Sequence, residues 1–206
     1  MSQSTSETGS GQKKSLFEKI SEIIIDLISN IPTSSEPHSD DPKKRAKIIV
    51  LQASSKAALV SGGLSLPPGP MGMLTILPDI MAIWHIQRQM VADIAAVYGK
   101  SKQLGKEEML YCLFKHLASQ VLRDVVVRVG ERMLVRRTSL KFIQEMLKKI
   151  GVRITQRIAG RGISRWIPIV GAIGIGAYAF YDTAQVGETA IDLFEREIDT
   201  EEGGSL

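Results

Sequence analysis

Apolar positions along this chain recur mostly at helical spacing. Leu16, Ile20, Ile23, Ile24, Leu27 and Ile28 return every three or four residues, with Glu18, Lys19, Glu22 and Asp26 between them; this predicts an amphipathic helix over 15–31. Ser15 is placed to cap it, with Glu18 three residues on. A helix is predicted over Lys43–Val60, ending at Gly62-Gly63. Another starts at Pro78, which suits a first turn, and runs through Trp84, Met90, Val91, Ile94 and Tyr98 to a stop at Gly99. Further helices are predicted near Lys106–Gln120, Val121–Arg137, Leu140–Ile150 and Glu188–Ile198. VVVRV, Val125–Val129, is the one strand-like run, and its neighbours read as helical. The pattern predicts an all-α, multi-helix bundle.

Two apolar stretches interrupt this periodicity. Leu64–Leu77 holds three prolines, too dense for a continuous helix. It reads as a buried turn, or as a loop that lines a pocket or touches lipid. Ser164–Gly187 is the second, SRWIPIVGAIGIGAYAFYDTAQVG, with sixteen uncharged residues from Trp166 to Tyr181. As a helix starting near Pro168 these cover about 24 Å, short of the ~30 Å hydrocarbon core. That length predicts a buried core helix or a segment that dips into a bilayer without crossing it. Gly171, Gly174 and Gly176 form a small-residue surface on which a second helix can approach closely. The embedded GxxGxG lacks the spacing of a dinucleotide fingerprint, and no Walker lysine follows.

The organisation expected is a polar, disordered 1–14, the amphipathic helix 15–31, a Ser/Pro/Asp linker over 32–42, a helical domain over 43–198 and an acidic flexible tail over 199–206. The linker predicts a separable N-terminal helix. The start lacks an apolar signal region, so a cytoplasmic location is expected.

Charge sharpens the picture. The chain has 206 residues and a net charge of +4, but the charges are segregated. Arg123–Arg165 carries twelve Lys/Arg against three Asp/Glu, a local +9; Asp182–Leu206 carries eight Asp/Glu against Arg196, a local −7. A basic block ahead of an apolar segment points to an anionic partner. Arg153, Arg157, Arg161 and Arg165 fall at i, i+4 spacing and lead to Trp166, an interfacial type of residue. The block contains few stacking aromatics and no readout motif, which favours anionic membrane lipid, or a membrane-protein partner, over nucleic acid.

Candidate chemistry is sparse. Cys112 is the single cysteine, which excludes an intrachain disulfide, and reads as a core thiol. His38, His85 and His116 show no metal-ligand spacing, so no metal and no cofactor is expected. Asp79, Asp182 and Gln185 border the apolar stretches. Two carboxylates can divide acid and base roles, which gives a hydrolase as the least favoured reading; helix capping or a buried hydrogen bond, with Gln87, Gln185 or Arg165 as partner, is the simpler one.

The stretches PPGPMGMLTILPDIMAIWHIQRQMVADIAAVYGK and RWIPIVGAIGIGAYAFYDTAQVGETAIDLF together resemble the EcsC family of bacterial proteins. The resemblance covers roughly Lys43–Phe194. It implies a helical protein that sits at or in the membrane, and carries over no catalytic residues. The sequence itself names no reaction. It supports a non-enzymatic protein at the cytoplasmic membrane face, with a soluble module holding a lipid-like ligand in an apolar cavity as the alternative.

Overall fold

The computed structural model describes residues 22–64, 72–122, 125–129, 132–137, 143, 145 and 168–202. Within them helices dominate. Residues 22–29 are helical and are termed α1. Then come α2 (Pro42–Leu64), α3 (Gly72–Val97), α4 (Lys106–Leu122), β1 (Val126–Val129), β2 (Arg132–Arg137), α5 (Pro168–Phe194) and β3 (Glu197–Glu202).

The helix ends follow local chemistry. Asp41 caps α2: its carboxylate accepts the Lys44 N–H at 3.2 Å and its carbonyl the Arg45 N–H at 3.1 Å. Pro42 takes the first helical position, where its missing N–H costs nothing. α3 closes in a left-handed cap at Gly99 (φ 69°), with Lys100 N–H donating to the Ala95 carbonyl at 2.7 Å and Gly99 N–H to Ala96 at 2.8 Å. At the start of α4, Glu108 reaches back to accept the Gly105 N–H at 2.9 Å.

The structure departs from the periodicity in several places. α3 begins six residues before Pro78, so Asp79 stands well inside the helix and not in its first turn. Residues 188–198 do not form a helix of their own: α5 runs unbroken through Gly187 to Phe194. The expected helix over 121–137 gives way after Leu122 to a hairpin of β1 and β2. Here the β-branched run of valines wins over its helical neighbours, because β2 also gains a partner distant in sequence. That partner is β3, parallel to β2, where the last helix and the acidic tail were expected to meet. The strand order is β1-β2-β3, and the parallel step is bridged by a crossover containing α5.

α5 is the central helix, packed mainly on α2 and also on α3 and α4. The core joins Met90, Val91 and Ile94 of α3, Met109, Leu113 and Phe114 of α4, Val186, Ala190 and Phe194 of α5, and Val126, Met133 and Val135 of the sheet. Trp84 meets Phe114 edge-to-face at 5.5 Å. Ile24, Leu27 and Ile28 of α1 are buried in the same core. The segment after α1 is strapped to α3: Ser34 Oγ donates to Asp93 at 2.6 Å, Gln89 Nε2 to the Thr33 carbonyl at 3.1 Å, and Ser39 N–H to the Val97 carbonyl at 3.0 Å. Ile24, Leu27 and Ile28, the described part of the N-terminal helix's apolar stripe, are therefore part of the core, while Leu16 and Ile20 lie outside the described residues.

A candidate functional site: a buried polar knot and an exposed apolar face

Three helices converge on Asp182. It follows directly on the exposed Tyr181 of α5 and is itself largely buried, with 15% of its side chain exposed. Its Oδ1 meets His116 Nε2 of α4 at 3.0 Å and accepts the Tyr178 hydroxyl, one turn back, at 3.1 Å. Its Oδ2 accepts Gln87 Nε2 of α3 at 3.1 Å, and the same amide donates to Thr183 Oγ1 at 3.2 Å. Burial pushes the Asp182 carboxyl up. The hydrogen bond and charge of His116, with the donors of Gln87 and Tyr178, outweigh it and hold the group below the usual carboxylate range. Gln87 Oε1 and His116 Nδ1 are buried and have no hydrogen-bond partner among the described residues.

Chemically, the knot fixes a carboxylate and orients one histidine. It is well provided with donors, and its two hydroxyls, Tyr178 and Thr183, are both engaged in hydrogen bonds. Cys112, one helical turn before His116, is fully buried; burial, then the Glu108 charge, pushes its thiol far up and leaves it inert. Among the described residues no group of three or more His, Cys, Asp or Glu is placed to hold a metal.

A second ionic cluster lies at the base of α4. Arg137, the last residue of β2, donates from one guanidinium nitrogen to Glu107 at 2.8 Å and to Glu108 at 2.9 Å. Glu108 is fully buried and its Oε1 has no hydrogen-bond partner among the described residues. Burial raises its carboxyl; backbone donors and Arg137 only partly offset this.

The outer surface of the α2–α5 pair exposes several large apolar side chains among polar ones such as Gln52, Ser55 and Lys56. Leu59 is 78% exposed and Tyr181 62%, with Ile48, Leu51 and Phe180 also open. Ser55, Ala58, Leu59, Gly62, Gly176, Ala177 and Phe180 line an open groove between the two helices. At Gly176 a Cβ would stand 3.1 Å from the Ala58 carbonyl oxygen, so this glycine sits at the close approach of α2. Gly174 does not: it is exposed, and nothing among the described residues lies within 4 Å of where its Cβ would be. Two residues turn a helix by ~200°, which puts Gly174 and Gly176 on opposite faces.

The other expected positions distribute as follows. Asp182 and Gln87 do pair. Gln185 is half-buried, and its carbonyl accepts the Thr189 hydroxyl at 2.9 Å. Gly171 and Asp79 lie in α5 and α3, but the surroundings of the one and the side chain of the other fall outside the described residues, as do Arg153, Arg157, Arg161, Arg165 and Trp166 entirely. Sequence reasoning missed His116, Tyr178 and Thr183 as partners of this site. The Tyr-to-Asp spacing of four residues was the available signal for one of them. Among the described residues no helix is long and apolar enough to cross a membrane.

Residues 41–197 match the model of the EcsC protein family. Searches of curated proteins and of solved structures give no match.

Proposed function

The chain belongs to the EcsC protein family, and we propose that it is a non-enzymatic helical protein that associates peripherally with the inner face of the cell membrane. The observation that carries this reading is the exposed apolar face of α2 and α5. Leu51, Leu59, Phe180 and Tyr181 open outward next to a groove of small residues. Scattered apolar residues on a surface need no explanation, but Leu59 and Phe180 line one open groove shared by the two helices. Transfer of a leucine or phenylalanine side chain out of water is worth roughly 1.5–3 kcal/mol, so a few such residues supply reversible attachment. Arg153, Arg157, Arg161 and Arg165, spaced four apart in the sequence ahead of Trp166, would add attraction to anionic headgroups, about 1 kcal/mol per charge near the surface. The Asp182 knot has a positioning part: it ties α5 to α3 and α4 just where the helix leaves the core for its exposed half.

The test is flotation with phosphatidylglycerol-containing vesicles. Leu59→Gln combined with Phe180→Gln should lose most of the binding with an unchanged far-UV spectrum, because both side chains are exposed. Undiminished binding by this variant would overturn the reading. The α2–α5 groove favours a second reading, a module that lodges one acyl chain. Lipid recovered stoichiometrically from the purified chain, without vesicle binding, would support that module instead.

A further inference from the structure

Contacts fix which helix ends lie together. α2 and α5 run antiparallel: Gly176 approaches Ala58, Gly187 approaches Val50, and Glu195 pairs with Lys43 at 2.9 Å. α3 and α5 run parallel. Gln87 Nε2 donates to Asp182 midway along both, and Lys100, just past α3, donates to the carbonyl of Arg196, just past α5. From that midpoint the first residue of α3, Gly72, lies ~22 Å back and the first of α5, Pro168, ~21 Å back, so the two tips are level. The last turns of α2 reach towards the same end, with Gly62 beside Gly176. The two ends of this group of helices differ in charge. Ala57–Leu64, Gly72–Pro78 and Pro168–Tyr181 contain no Asp, Glu, Lys, Arg or His. The opposite end has Lys43, Lys44, Arg45 and Lys47 on α2, Lys100 and Lys102 behind α3, and Asp192, Glu195 and Arg196 at the close of α5.

Burial does not account for the uncharged end, because Leu59, Gly174, Ala177, Phe180 and Tyr181 are exposed there. Water places no ban on charge at an open helix end, whereas hydrocarbon does. Resting on the membrane reading, we infer that the protein meets the bilayer end-on: the end where α2 stops and α3 and α5 start enters one leaflet, and the helices stand steeply on the membrane. The first charges set the depth. Asp79 follows Gly72 by ~10 Å along α3, and Lys56 precedes Leu64 by ~12 Å along α2. A cap of ~10 Å matches the immersion of interfacial elements and is far short of the ~30 Å needed to cross. In the sequence Arg165 and Trp166 stand directly ahead of Pro168. Connectivity alone therefore holds a cation and an interfacial type of aromatic within about 11 Å of the α5 tip, which suits anionic headgroups around it. Ile48, although open, is flanked one turn away on either side by Lys44 and Gln52, and stays in water.

The experiment attaches nitrobenzoxadiazole to one introduced cysteine in each of three full-length variants, Gly174→Cys, Leu59→Cys and Ile48→Cys, all at exposed positions. Cys112 is fully buried and shielded from the dye. On phosphatidylglycerol-containing vesicles, a nitroxide on the lipid acyl chain should quench the Gly174 label several-fold more than the Ile48 label. The Leu59 label should fall between them, and the Ile48 label should stay open to aqueous iodide. Leu59 and Ile48 are ~16 Å apart along α2, so a steep and a flat pose are well separated. Equal acyl-chain quenching at Leu59 and Ile48, with none at Gly174, means that α2 lies flat; this overturns the inference and leaves the membrane reading standing. No quenching at any position, with no flotation, overturns both. A Gly174 label already shielded in buffer, with a doubled mass by light scattering, overturns the inference in favour of a second copy at the tip. Charge gives an independent arm. Gly174→Asp should weaken vesicle binding about tenfold and Ile48→Asp by less than about twofold; the reverse order overturns the inference. Matching thermal melts verify that the folds compared are the same.

Discussion

The more polar half of α5 is the enclosed one: Gly174–Tyr181 carries no charged residue, whereas Thr183–Phe194 contains Glu188 and Asp192. From Thr183 to Phe194 the helix is enclosed: Val186, Gly187, Ala190, Leu193 and Phe194 are buried among α2, α3 and α4. From Gly174 to Tyr181 one side still rests on α2 through Gly176, while Gly174, Ala177, Phe180 and Tyr181 face outward. Hydrophobicity therefore does not define which half is core; the neighbours do. The glycines make the same point. Gly176 and Gly187 are eleven residues apart, only ~20° around the helix, and both lie against α2. Gly174 is ~140° from Gly187 and meets nothing among the described residues. Among the described glycines of α5, Gly176 and Gly187 form one stripe of close approach and Gly174 lies outside it.

The largest effect should come from the enclosed half. A Cβ on Gly187 would stand 2.7 Å from Val50 Cγ1 and 3.1 Å from its Cβ. Valine is stiff at χ1 and cannot swing aside as a long side chain would. Gly187→Val should cost about 3 kcal/mol, which for a chain of this size lowers Tm by roughly 6–12 °C. A melt coinciding with that of the parent would mean that α2 and α5 are further apart than described, and the distinction between the halves would fail.

Asp182→Ala tests the junction between the halves. It removes one acceptor each from His116, Tyr178 and Gln87. The expected loss is about 2 kcal/mol at neutral pH, the cost of stranding buried polar groups. Its pH dependence has a definite sign. The folded carboxyl is held below its unfolded value, so the contribution is complete above the unfolded value near ~4 and disappears as pH falls through the folded one. Melts of parent and variant should converge in strong acid and separate towards neutrality. A gap that is constant with pH would show that the charge of Asp182 does not stabilise the knot.

Glu108 should show the opposite sign at a smaller size. Its carboxyl is raised by burial, so ionising it costs stability, and that cost vanishes as pH falls through the folded value. Glu108→Gln keeps an acceptor for the Gly105 N–H, and Arg137 keeps Glu107. The variant should melt slightly above the parent at neutral pH, by less than Asp182→Ala lowers the melt, with the advantage shrinking on acidification. Both groups are buried carboxylates with a basic neighbour. The difference is one of donors: both oxygens of Asp182 are engaged, while Glu108 shares one guanidinium nitrogen with Glu107 and leaves an oxygen bare.

Elements governed by local rules were legible in the sequence. Pro42 behind Asp41, Gly99 and the α4 run each announced a boundary through its own chemistry, and the mostly helical architecture followed from the spacing of apolar residues. The sheet was not legible, because β2 draws its second partner from the far end of the chain, and a window around Val125–Arg137 contains no trace of Glu197–Glu202. The continuity of α5 was hidden for a related reason: Gly187 reads locally as a break, yet only the proximity of Val50 explains it. At the candidate site Asp182 stood out by following an apolar run, and Gln87 as a possible partner. His116 did not stand out, since a lone histidine on an apolar helix acquires its meaning from a carboxylate 66 residues away.

The smallest stability effect is expected at the position where the exposed half departs most from the enclosed one. Gly174→Leu adds a large side chain where nothing among the described residues lies within 4 Å, so there is no overpacking to absorb. Leucine also loses less backbone freedom in a helix than glycine, a gain of up to about 1 kcal/mol. The melt should therefore stay level or rise slightly, in contrast to Gly187→Val thirteen residues further along the same helix. Vesicle binding gives an independent readout. If the outward side of this half meets lipid, a new exposed leucine should hold or strengthen attachment to phosphatidylglycerol vesicles. A marked loss of stability would show that Gly174 is covered by another part of the chain, and the contrast between the two halves would then have to be drawn elsewhere on α5.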